Sequence, residues 1–329
     1  MSAISSPTVV EAGLPARPRR ARVLTIPVAV FDRPALWLAA GAAIGVGVAG
    51  MWNVRAIDGL GVATFVVPLV GPFQGKAAQF AAFGPGFGAL FAVAAGLAAT
   101  ATASSLATFT LLPGLASSAG RIPRASALKV PAIMAAIVAT VGALYGAFIG
   151  RMGPEGAAAF NTSAIRSAQS FVVFGTLGSL MLVWAAFEAR LLAAPAVGVA
   201  PIGRIFLARP AVKAAIAGAI AGGFTLGRPL AVFREFLLYA AQPGSVLYGA
   251  GVMALQSVAT MAIPIGLLAC TVVLGHGRLN RWTRANPRRA ALVSAAAMAA
   301  GGAFLIFYWA ITRVWPWLGR WGFQLGLYQ

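Results

Sequence analysis

The sequence predicts an all-α polytopic membrane protein with about seven transmembrane helices. Three observations lead there. Apolar residues make up 60% of the 329 positions and charged residues only 9%, where soluble domains carry roughly a quarter charged, and the mean hydropathy is +0.86. Apolar segments recur at about the 20 residues that a helix needs to cross a bilayer. Basic residues gather between these segments on alternate sides. With the N-terminus inside, 17 of the 25 Lys and Arg fall on the inner side and 8 on the outer, the bias that orients membrane proteins.

Residues 1–34 read as a disordered, basic cytoplasmic tail carrying Arg17, Arg19, Arg20 and Arg22. Residues 35–52 are a retained extra span, because the run is long for a signal sequence and has no small-x-small cleavage site before Met51-Trp52-Asn53. An external loop is expected at 53–79. The next apolar run, 80–119, is too long for one straight crossing. It is expected to enter by a Pro85-Gly86 turn and to break at Pro113 and Gly114. With spans at 131–150 and 171–190 it makes a first three-helix half, 80–190. A basic cytoplasmic loop, 191–213, leads to a second half, 214–312. This half opens with a span interrupted by Gly227-Arg228-Pro229 and by Arg234-Glu235, and continues with spans at 246–274 and 290–311. Residues 313–329 form an external aromatic tail, with Trp309, Trp315, Trp317 and Trp321 at the outer interface. Leu-Tyr-Gly-Ala occurs at both 144–147 and 247–250, but out of register between the halves, and reads as chance.

Composition also removes function classes. The net charge of +19 reads as loop charge facing an anionic leaflet, not as a nucleic-acid surface. A single Cys (Cys270, an apolar filler) and a single His (His276, interfacial) exclude an internal disulfide, a Cys/His zinc cluster and bis-His haem ligation. No metal, cofactor or catalytic constellation is expected.

Two broken spans in one chain imply an interior site, since unpaired backbone is tolerated at membrane depth only inside protein or along a wet cavity. Paired breaks in two halves suggest an inverted repeat with alternating access. The candidate polar group is Arg228, Arg234 and Glu235, with Glu188 on the fourth span. Two Arg and a Glu inside an apolar run cost several kcal/mol unless paired or hydrated. Two readings are open: a forked-donor site for an anion, a quinone headgroup or a partner carboxylate, and a structural ion pair or snorkelling side chains. Thr102, Ser104, Ser105, Thr108 and Thr110 are expected to satisfy backbone freed at Pro113 or to face a polar conduit. Asp58 and Glu155 fall in outer loops. Gly41/Gly45, Gly146/Gly150 and Gly218/Gly222 allow close helix approach.

Residues 80–312 resemble the CcdA family and the membrane domain of DsbD. The resemblance rests on the Leu-Pro-Gly-Leu-Ala-Ser-Ser-Ala-Gly run at 112–120, the small-residue stretch 141–150, Gly223-Phe224-Thr225, and Gly-Ala-Phe-Leu-Ile-Phe-Tyr-Trp at 302–309. It implies a bacterial inner-membrane protein connected with cytochrome c biogenesis. The family's relay needs one Cys in each broken span, and those places here carry Thr108 to Thr110 and Gly227-Arg228. The implied role is therefore a non-enzymatic accessory subunit or assembly factor of a membrane redox complex, partnered by the bilayer and other membrane subunits. The alternative is a secondary transporter of a small anion, metal or metabolite. Thiol transfer using a partner's cysteines is disfavoured, because a relay across the membrane needs a thiol within it.

Overall fold

The computed structural model describes residues 33–192, 209–318 and 321–325. The predicted N-terminal tail, most of the 191–213 loop and the end of the C-terminal tail lie outside the described residues. The described chain is helical, with no strand. Its helices are α1 (Pro34–Gly50), α2 (Val54–Gly61, continuing through a π-type turn at Val62–Val66 into Val67–Val70), α3 (Phe80–Thr100), α4 (Ala103–Phe109) and α5 (Leu112–Ala119). After these come α6 (Lys129–Phe160), α7 (Ser163–Glu188), α8 (Pro210–Gly227), α9 (Ala231–Ala241), α10 (Val246–Ala285) and α11 (Pro287–Leu305, prolonged by Ile306–Ile311 and Thr312–Val314). Six helical stretches are long and apolar enough to cross a membrane, and two shorter apolar ones, Pro34–Gly50 and Ala56–Val70, accompany them. The protein is thus an all-α, multi-pass membrane protein.

Residues 53–79, expected as an external loop, are instead largely helical. Asn53 caps α2 by accepting from the amide of Ala56 at 3.0 Å. α1 runs parallel to α11, with Gly41 and Gly45 against the backbone of Ala296 and Ala300. α2 runs against α3, with Gly61 on the backbone of Ala98. Since α3 and its continuation run opposite to α11, α1 and α2 point the same way. Together they make one crossing interrupted at Met51–Asn53. The loop reading failed because one Arg and one Asp in 54–70 lower its hydropathy, while burial against α3 compensates.

Two further crossings are interrupted. α3, α4 and α5 form one, broken at Ala101–Thr102. Pro113 sits in the first turn of α5, where a missing N–H costs nothing, directly after a second interruption at Thr110–Leu111, so the expected break at Pro113 and Gly114 is present beside the one at Ala101–Thr102. The kink expected near the start of α3 is present: Gly84, at φ 73° before Pro85, adopts backbone that only Gly takes without strain. α8 and α9 form the other crossing, broken at Arg228–Leu230, and start four residues before the expected 214. Arg234 and Glu235 do not break α9 but lie within it.

The contacts make the halves inverted copies. α6 crosses α10 antiparallel, and α7 crosses α11 antiparallel. α3 packs parallel on α10 just as α8 packs parallel on α6. At the α6–α10 crossing, Gly146 meets the Gly249 carbonyl and the Met253 side chain, while Gly249 meets the Gly146 carbonyl and Gly150. The two Leu-Tyr-Gly-Ala segments therefore face each other across this crossing. They fall out of register because Leu144 is the sixteenth residue of α6 and Leu247 the second residue of α10. Gly178 and Gly302 make the same reciprocal contact between α7 and α11. The aromatic tail also differs from expectation. Trp315 and Trp317 are exposed, but Trp309 stacks on Phe174 at 4.8 Å and Trp321 packs on Phe307 and Gly50.

Candidate functional site

The interrupted spans expose backbone that must find partners inside the protein. Pro229 ends α8 by forcing Arg228 into an extended conformation with ψ near 118°. The carbonyls of Gly227 and Arg228 are then without helical donors. Ser170 on α7 donates its hydroxyl to Gly227, and the Arg166 guanidinium donates to the Arg228 carbonyl. A cation is well placed at a helix C-terminus, where carbonyl dipoles converge. Arg166 is itself fully buried, and it also donates to the Tyr145 hydroxyl and to Gln169, both at 2.7 Å.

The other break uses hydroxyls. Thr102 and Ser105 both donate to the carbonyl of Ala99, at 2.7 and 2.6 Å, and Thr100 donates to the carbonyl of Thr260 at 2.9 Å. Thr102 and Ser105 thus satisfy backbone freed at 99–102. Thr110 donates to Ala107, whereas the buried Thr108 hydroxyl has no partner.

The Arg228 side chain spans the two breaks. One terminal nitrogen donates to Thr260 Oγ1 and the other to Ser105 Oγ, each at 3.2 Å, while Nε has no acceptor. The residue is 1% exposed, and Phe233 lies beneath its guanidinium. Around it are the buried Thr225, Gln256 and Ser257, and Gln256 Oε1 is also without a donor. No carboxylate among the described residues lies within ion-pair distance of Arg228. Asp58 on α2 is within electrostatic reach, as is the like charge of Arg166. Asp58 accepts from Trp52 Nε1 at 3.4 Å. The centre therefore holds two buried guanidinium groups against one carboxylate.

Such an arrangement is costly, because a buried charge without a close partner keeps most of its desolvation penalty. The guanidinium's partners are neutral hydroxyls at long distance. An anionic oxygen offers shorter, charge-assisted bonds in the planar fork geometry that Arg presents.

The candidate residues do not gather at one place. Glu188 pairs with Lys213 and also accepts from Trp184 at 3.3 Å. Glu235 accepts the Ala77 amide at 2.9 Å and so ties the 71–79 segment to α9. Arg234 and Asn161 exchange hydrogen bonds through each other's carbonyls, at 2.8 and 2.9 Å. The anticipated pairing of Arg228 or Arg234 with Glu235 or Glu188 is absent, because each acid already has a partner in its own layer of the bundle. Gly227 and Pro229 do flank the break. Asp58 and Arg166, assigned by sequence to outer segments, belong to the centre. The signal for Arg166 was a polar stripe at helical spacing, Arg166, Gln169 and Ser170, on an otherwise apolar helix, and Gln256, Ser257 and Thr260 gave the same signal on α10. Cys270 is exposed and not packed as filler. Among the described residues no group of three His, Cys, Asp or Glu is placed to hold a metal ion.

Comparison with family models, with curated proteins and with solved structures finds no match to this chain.

Proposed function

We propose that the protein is a secondary carrier for a small anionic solute, recognised by Arg228 where the interrupted spans meet. The observation that carries this reading is a fully buried guanidinium that, among the described residues, is bonded only to two neutral hydroxyls, with a third donor unused. A structural arginine at this depth gains most from a close carboxylate, and here the nearest partners are side chains that an anion's oxygens can replace. The inverted halves support the same reading, because two packings related by exchange of the halves give an alternating-access pair of states. By the positive-inside rule, the end of the bundle that carries Arg121, Arg124, Arg278 and Arg281 faces the cytoplasm of a bacterial inner membrane.

The accessory-subunit role implied by the CcdA resemblance gives no task to the Arg228 centre, which is why transport is preferred. The test uses the full chain reconstituted in proteoliposomes, with phosphate, sulfate, succinate and glutamate as separate probes. Uptake of one probe, abolished by Arg228→Gln in protein that remains folded, is the expected result. Absence of uptake, together with purification at fixed stoichiometry with redox subunits from the native membrane, would establish the accessory role instead.

A further inference from the structure

A groove of about 470 Å³ runs between α7 and the end of α11 on the outer surface of the bundle, lined by Phe171, Gly175, Ser179, Val183 and Ala310 among others. Its depth comes from small residues, because a side chain at Gly175 would meet only the Cβ of Ala310. The Ser179 hydroxyl is turned back onto the Gly175 carbonyl at 2.9 Å, so it offers the groove no free donor. Ser167, Phe171, Gly175, Ser179 and Val183 succeed one another at four-residue intervals, a row about 24 Å long that winds part of the way around α7.

One end of the row carries a cation. Arg313 is exposed, donates to Ser167 Oγ and lies over the ring of Phe171, 5.9 Å from its centroid. It makes no ion pair among the described residues. Phe171 belongs both to the groove wall and to the seat of the guanidinium, so the apolar channel and the charge are continuous. We propose that this groove is a selective site for one anionic phospholipid, with an acyl chain along α7 and the headgroup phosphate on Arg313. A transmembrane helix of a partner subunit fits less well. The charged end of the groove needs an anion at interfacial depth. This inference does not depend on the transport reading.

The test is native mass spectrometry of the full-length protein in mild detergent, titrated with phosphatidylglycerol and phosphatidylcholine of the same acyl chains. One retained phosphatidylglycerol is expected, favoured roughly fivefold over phosphatidylcholine, the contribution of one basic residue at an anionic interface. Arg313→Ala should erase the preference, and Gly175→Leu should erase retention of both lipids. Ala310→Leu, on the opposite wall, serves if Gly175→Leu does not fold. Equal retention of the two lipids overturns the headgroup assignment. Retention that neither groove variant alters overturns the site. A copurifying protein released by Gly175→Leu shows a helix-docking face instead.

Discussion

Replacing Arg228 with Met, which keeps much of the length and removes the charge, separates a binding arginine from a structural one. Hydrogen bonds to a charged group contribute roughly 1.5–3 kcal/mol each. The two made by Arg228, at 3.2 Å, are long for charge-assisted bonds and belong at the low end, so about 3 kcal/mol is lost. The hydroxyls left behind are not orphaned, because Ser105 still donates to Ala99 and Thr260 to the Gln256 carbonyl. Against the loss stands the cost of holding Arg in the bilayer interior, about 2.5–3.5 kcal/mol even on the lenient insertion scale. The two cancel to within about 1 kcal/mol, so the Arg228→Met variant should unfold in detergent at close to the wild-type temperature. An anion that binds the wild type should stabilise it by about 2.7 kcal/mol at a hundredfold excess over Kd and should leave the variant unmoved. Intrinsic tryptophan fluorescence on heating, with and without anion, reads both quantities. A large fall in the unfolding temperature, with flux reduced only in proportion to folded protein, would falsify the binding role and make Arg228 a structural strut.

Asp58→Asn keeps an acceptor for Trp52 and removes the only carboxylate among the described residues in reach of Arg228. Anion affinity should rise, by about tenfold for each 1.4 kcal/mol of competition relieved, as isothermal titration of the purified protein would show. Lys213→Ala leaves Glu188, its side chain 12% exposed, without its cation. The cost should approach but not reach the roughly 3–5 kcal/mol of a fully buried broken pair, and Lys213→Met with Glu188→Gln should restore the unfolding temperature. Gly249→Leu forces a side chain into the Gly146 backbone, an overpacking cost of at least about 1–3 kcal/mol that should appear as lost folded yield. Gly251→Ala, with nothing near it, should instead stabilise α10 by up to about 1 kcal/mol. Equal yields for these two variants would remove the claim that the α6–α10 crossing is a backbone contact.

The long apolar runs and the kinks at Gly84 and Arg228 were legible in the sequence, because hydropathy and Pro report directly on crossing length and backbone freedom. The helical character of 54–70 was not. Its Arg and Asp made it look like a loop, and only burial of Gly61 against Ala98 reveals the span. The same limitation hid the site. Arg228 stood out, but its neighbours Ser105, Thr260, Arg166 and Asp58 come from four other segments, 60 to 170 positions away in some cases, and no local pattern ties them together. Arg234 and Glu235 were overread for the opposite reason: adjacency in sequence suggested a pair, and helical geometry sends each to a different neighbour.

The meeting of Gly146 and Gly249 constrains how this molecule can move. Two helices that touch along Gly142, Gly146 and Gly150, with the Met253 side chain seated between the first two, resist sliding, because a shift along either axis drives a side chain into a carbonyl. If the protein is the carrier proposed above, this contact is the pivot about which the halves rock, and opening at one mouth of the bundle is accompanied by closing at the other. Substitutions that lock or loosen this pivot should change how fast the molecule rocks while leaving untouched what it holds.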